Sequence, residues 1–156
     1  MKAKPKLRTY MRFKTKLEPE PYLMERCEPL VVKRKRWAMA RFRTGGSDLR
    51  VETGRCEGTA WAERTCLVCG SGEVEDEVHF LLDCEKYYFL RQSMAADLIA
   101  TVGREVLTCN REYVLDTMLG EYKYGDRKAM YDVVSTFVVA AMDARKTILA
   151  VGSGGS

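Results

Sequence analysis

The strongest constraint on this chain is a spacing. Cys66 and Cys69 are separated by two residues, His79 follows after nine more, and Cys84 after another four, giving C-x2-C-x9-H-x4-C. A two-residue gap lets both thiolates turn onto one ion, as in a zinc knuckle. Gly70, Ser71 and Gly72 supply the flexible corner that such a turn needs. His79 is the single histidine of the chain, and it falls at ligand spacing. Three thiolates and one imidazole fill a tetrahedral zinc ion completely, so the expected Zn2+ site at Cys66, Cys69, His79 and Cys84 is structural, not catalytic. The competing reading is four buried, metal-free side chains in a helical core, since free cysteine is commonly buried. Cys27, Cys56 and Cys109 have no partner at ligand spacing and read as core or surface thiols.

The rest of the chain must build around that knot. Its 156 residues suffice for one domain with a modest core. At 46% hydrophobic and 31% charged it has a globular composition. No segment approaches the roughly 18 apolar residues of a membrane span. The N-terminal stretch is basic with no apolar run behind it, so no secretory signal is expected. Six cysteines without such a signal point to thiols or metal ligands and to an intracellular protein, nuclear or cytoplasmic, without membrane association.

Periodicity predicts a mainly α fold: a small helical domain with a zinc knuckle and at most a short strand pair. Residues 1–30 read as a basic arm with short helices over Thr9–Leu17 and Tyr22–Cys27, 31–151 as the helical zinc-binding domain, and 152–156 as a Gly/Ser linker. A stronger helix spans Leu30–Phe42, with Leu30, Val31, Trp37, Met39 and Ala40 apolar and Lys33–Arg36 opposite. Leu49–Glu52 alternates with period two and predicts a short strand. Glu85–Val102 reads as one helix with Tyr88, Leu90, Met94, Leu98 and Ile99 inward. Asn110 is placed to cap a helix over Arg111–Leu119. Asp126 is placed to cap a long last helix, whose stripe Met130, Val133, Val134, Phe137, Val138, Ala141 and Ile148 predicts a central position.

Charge divides the chain. Residues 1–55 carry 16 Lys and Arg against 6 Asp and Glu; residues 56–156 carry 10 against 16. The first third, at +10, is a candidate phosphate-binding surface, and the remainder, at −6, is not. Arg8, Arg12, Lys14, Lys33, Arg34, Lys35, Arg36, Arg41 and Arg43 are the candidate contacts to RNA or DNA. Tyr10, Phe13, Trp37 and Phe42 lie among them, with core packing favoured for Trp37 and Phe42 over stacking on bases. A solvated basic face is the plainer reading.

No acid–base or nucleophile set is evident, because the sole histidine is assigned to zinc. The acidic run Glu73–Glu77 reads as the first turn of a helix, where carboxylates oppose the macrodipole. A non-catalytic module is therefore expected.

Several segments together resemble a known family: Lys6–Lys14, Ala40–Arg43, Leu49–Arg55, Glu63–Cys69, Glu75–Cys84 and Phe137–Arg145. They are similar to the C-terminal region of non-LTR retrotransposon reverse transcriptases, most specifically over 40–91. The resemblance implies a zinc-binding (CCHC) domain downstream of a polymerase that grips template RNA or target DNA. The polymerase palm with its paired aspartates, and any endonuclease, lie outside this sequence. That leaves an excised piece of a larger protein or a domesticated host descendant. The alternative function is a domesticated protein–protein interaction or scaffolding module that binds no nucleic acid, favoured by the acidic later part of the chain.

Overall fold

A computed structural model describes residues 8–13, 19, 24, 29–119 and 127–153. Seven α-helices are present among them: α1 (Arg8–Phe13), α2 (Leu30–Thr44), α3 (Arg50–Cys56), α4 (Tyr88–Val102), α5 (Glu105–Thr108), α6 (Arg111–Leu119) and α7 (Arg127–Ser153). Leu17, the expected helix at Tyr22–Cys27 apart from Met24, the Asp126 cap, Lys14, Cys27 and the side chains of Arg8 and Phe13 lie outside the described residues. The fold is mainly α, as expected. The strand pair expected near the metal reduces to a single antiparallel bridge, Thr65 with Val74. Among the described residues no helix is long and apolar enough to cross a membrane.

The last helix organises the rest. Met130, Val134, Phe137, Val138 and Ala141 of α7 are buried, on the stripe that periodicity predicted. α7 packs along both α4 and α2. The helix runs on through Gly152 and Ser153, which read from sequence as linker. Asn110 caps α6 as expected: its Oδ1 accepts the Tyr113 N–H at 2.9 Å.

Phe80 is the hub of the core. Its ring centroid lies 5.4 Å from Phe42 of α2, 5.0 Å from Tyr87 and 5.9 Å from Phe137 of α7. It follows His79 directly, so the metal-ligand segment is built into the core.

Three expectations need correction. Leu49–Glu52 does not form a strand; Arg50–Cys56 is helix α3. Glu52 reaches Arg55 Nη2 at 3.1 Å, an (i, i+3) pairing that a helix permits. The segment Glu85–Val102 is not one helix. A 3-10 turn over Glu85–Tyr87 precedes α4 and resets the register, so Tyr87 is buried and Tyr88 is exposed. Trp37, expected in the core, is 68% exposed, and Leu30 and Val31 also face solvent, while Met39 and Phe42 are buried. The buried face of α2 is thus restricted to its C-terminal half.

Candidate metal centre

The knuckle begins where the Thr65–Val74 bridge brings two chain segments together. Cys66 N–H donates to Glu73 O at 2.8 Å and Glu75 N–H to Arg64 O at 2.9 Å. The chain then turns back on itself, with Gly70 N–H reaching Cys66 O at 3.3 Å. Gly70 has φ of +66°, in the left-handed region that glycine enters without a Cβ penalty. This turn brings Cys69 round to the side of Cys66.

The other two donors come from a widened helical turn. Asp76 Oδ1 accepts the His79 N–H at 2.9 Å and closes the first turn. The next turn opens: Cys84 N–H donates to His79 O, five residues back, at 2.8 Å, so His79–Asp83 is a π-helical turn. In a regular α-helix, residues five apart point roughly 140° away from each other. The wider turn removes much of that divergence and places the imidazole and the thiol on one side.

The donor atoms of Cys66, Cys69, His79 and Cys84 all lie within 4.8 Å of one another. Cys69 Sγ is 3.4 Å from His79 Nε2. A tetrahedral zinc ion with ordinary bond lengths holds its donors about 3.6–3.8 Å apart, so this cluster needs only a small contraction to close on an ion. Cys66, His79 and Cys84 are buried and Cys69 is half-buried. The four side chains can therefore hold a metal ion. Cys56 and Cys109 are exposed and lie outside the cluster.

Burial and hydrogen bonding set the thiols apart. Burial pushes Cys66 up to about 12 and also raises Cys84. For Cys69 the burial effect is outweighed by hydrogen bonds from Ser71, Cys66 and His79, which bring it down to about 7. Cys69 Sγ and Ser71 Oγ are 3.1 Å apart. Without a cation, two of the three thiols keep their protons near neutrality.

The surroundings of the cluster were not fully legible from local sequence. The acidic run was expected to form the first turn of a helix. Asp76 does close a helical turn, but Glu75 is wholly buried. Arg145 of α7 binds both Glu75 oxygens, Nε to Oε1 and Nη2 to Oε2, each at 2.8 Å. Glu75 Oε2 also accepts the Arg50 N–H at 2.8 Å, which caps α3, and Oε1 lies 3.8 Å from Cys66 Sγ. Arg91 of α4 donates to Cys84 O at 2.6 Å and Leu81 O at 3.3 Å. Arg111 pairs with Asp83 at the end of the π-turn. A signal for the buried pair was present: Arg145 interrupts the apolar stripe of α7 between Ala141 and Ile148.

The candidate phosphate contacts are dispersed. Arg12 pairs with Glu112 at 3.0 Å, Arg34 with Asp143, Lys35 with Asp132 at 3.4 Å, and Arg41 with Asp48 at 2.8 Å. Arg43 is buried, Arg36 is half-buried and Lys33 is exposed. Phe42 is wholly buried and Trp37 is open to solvent. No family model, no curated protein and no solved structure matches this chain.

Proposed function

We propose that this chain is a non-catalytic module, pinned by one structural Zn2+, that presents a surface for RNA or DNA. In this reading it corresponds to the C-terminal region of a non-LTR retrotransposon reverse transcriptase or to a domesticated descendant of one. The observation that carries the reading is the convergence of Cys66, Cys69, His79 and Cys84 within 4.8 Å. Three sulfurs and one imidazole nitrogen are a donor set suited to zinc, and four protein ligands leave no coordination position for a substrate. The ion's contribution is to fix the knuckle. The chain's own residues do the rest: Glu75 and Arg145 tie the knuckle to α7, and Arg91 ties it to α4.

Support for nucleic acid comes from the excess of 16 basic over 6 acidic residues in 1–55 and from the exposed Lys33 and Arg34 on α2. Metal analysis of the purified chain should return one zinc per molecule. Titration with RNA and DNA should show affinity that falls steeply with salt and varies little with sequence. A flat salt response, or no binding at low salt, sinks the nucleic-acid part of the reading.

A second reading, a protein-interaction or scaffolding module, is favoured by the exposed Leu30, Val31 and Phe89 and by the acidic partners already held by Arg34, Lys35 and Arg41. Charge reversal of Lys33–Arg36 separates the two. Loss of RNA or DNA binding supports the first; partner recruitment that survives the reversal supports the second.

A further inference from the structure

Between α2 and α7 lies a groove of ≈ 130 Å³. Ala38, Val139 and Met142 give it an apolar floor, and Trp37 forms one wall. The Trp37 ring is 68% exposed, and the Arg41 guanidinium sits 5.0 Å from its centroid. Ser47 and Asp48 complete its lining.

The rim restricts the charge of the occupant. Its two carboxylates are engaged internally, Asp143 by Arg34 and Asp48 by Arg41. Lys146 on the α7 side is exposed and has no acidic partner among the described residues. Lys33 stands one turn before Trp37 on the same face of α2 and is also exposed. The groove therefore combines an exposed aromatic wall, with the Arg41 guanidinium over one ring face, and surplus positive charge on its rim. A cationic ligand is disfavoured by that charge, and a purely apolar side chain makes no use of it.

We propose that this groove receives one unpaired base of a single-stranded nucleic acid, stacked on the Trp37 face that Arg41 leaves open, with the flanking phosphates at Lys33 and Lys146. The inference rests on the nucleic-acid reading above and specifies its ligand as single-stranded. A free mononucleotide shares the ring-and-phosphate chemistry and is separated from a strand by the experiment.

The test uses the zinc-loaded chain carrying Trp61→Phe, so that Trp37 is the sole tryptophan fluorophore. It is titrated with a ten-nucleotide oligo-dT, with the same strand annealed to oligo-dA, with uridine monophosphate, and with a short phenylalanine peptide. The single strand should quench Trp37 and bind more tightly than the duplex. Base–aromatic stacking is lost on truncation, so Trp37→Ala should weaken single-strand binding by about 5- to 150-fold, measured by anisotropy, while Trp37→Phe retains most of it.

Oligo-dT affinity unchanged in Trp37→Ala overturns the proposal, and leaves the wider nucleic-acid reading standing if the Lys33–Arg36 reversal still abolishes binding. Quenching by the peptide and not by any nucleotide overturns it in favour of a protein ligand. Quenching by uridine monophosphate without strand binding upholds the ring-and-phosphate chemistry of the groove and sinks the nucleic-acid reading. No response to any nucleotide, by fluorescence or by anisotropy, overturns both.

Discussion

Arg145 and Glu75 stand 70 residues apart in sequence and form a buried two-point ion pair, with both contacts at 2.8 Å. The same carboxylate caps helix α3 through the Arg50 N–H and lies against Cys66. One side chain thus joins the knuckle, a short helix and the last helix. The pair also explains why a seven-residue helix with no side-chain cap of its own is stable where period-two alternation suggested a strand.

Glu75→Gln leaves the Arg145 guanidinium buried without a counter-charge. Removing one partner of a buried pair costs about 3–5 kcal/mol. Urea denaturation of the zinc-loaded chain should show a loss of that size for Glu75→Gln, and Arg145→Met should lose a comparable amount. The double variant should lose much less than the two added together, since it leaves no lone charge. Single losses below about 1 kcal/mol would remove the pair from any structural role.

Cys84→Ser should abolish stoichiometric zinc, whereas Cys56→Ser and Cys109→Ser should leave it at one ion per chain by elemental analysis. Structural zinc contributes on the order of 10–16 kcal/mol in small peptides, against roughly 5–15 kcal/mol of net stability for a whole domain. Chelation should therefore unfold at least the knuckle. An unchanged circular dichroism spectrum after chelation of a zinc-containing sample would show that the ion is dispensable.

Metal uptake should release protons. Cys66 is held up to about 12 and Cys84 is raised, both by burial, while Cys69 is brought to about 7. At pH 8 the thiols should therefore give up about two protons per ion, and near pH 6 about three. Calorimetric titration in buffers of different ionisation enthalpy measures this directly, and affinity should fall as pH falls.

Phe80→Ala removes the ring that touches Phe42, Tyr87 and Phe137. Large-to-small changes of this kind cost about 3–5 kcal/mol. Because Phe80 follows His79, the variant should also bind zinc more weakly, which competition with a coloured chelator would read. Zinc affinity equal to that of the parent chain would mean that the knuckle closes independently of the core.

Asn110→Ala should cost about 0.5–2 kcal/mol through loss of the cap on Tyr113 N–H. Thermal melts with the parent chain as control would measure it, and no change in Tm would show that α6 is held by packing alone.

What was legible in the sequence was mostly local. Ligand spacing, the Asn110 cap and the α7 stripe each depend on residues a few positions apart. The failures came from distance. Helix α3 takes its cap from Glu75, 25 residues on, and Glu75 is buried by an arginine 70 residues further still. The 3-10 turn at Glu85–Tyr87 shifts the following helix by a step that periodicity cannot register, so Tyr87 takes the inward place read for Tyr88. Trp37 was misplaced for a related reason: only Met39, Phe42 and Arg43 of α2 are buried, and nothing within α2 marks where its buried face ends.

The π-turn between His79 and Cys84 has one more consequence. Deleting a residue there would leave a four-residue step, which an ordinary helix spans with its ends only about 40° apart. An ion would tolerate that shortened spacing well. The hydrophobic interior would not, because everything on one side of the deletion would swing by about a quarter-turn relative to the other. The surplus residue is therefore kept less for coordination than for aim: it lets the imidazole face the ion while Phe80 and Leu81 go on pointing into the protein.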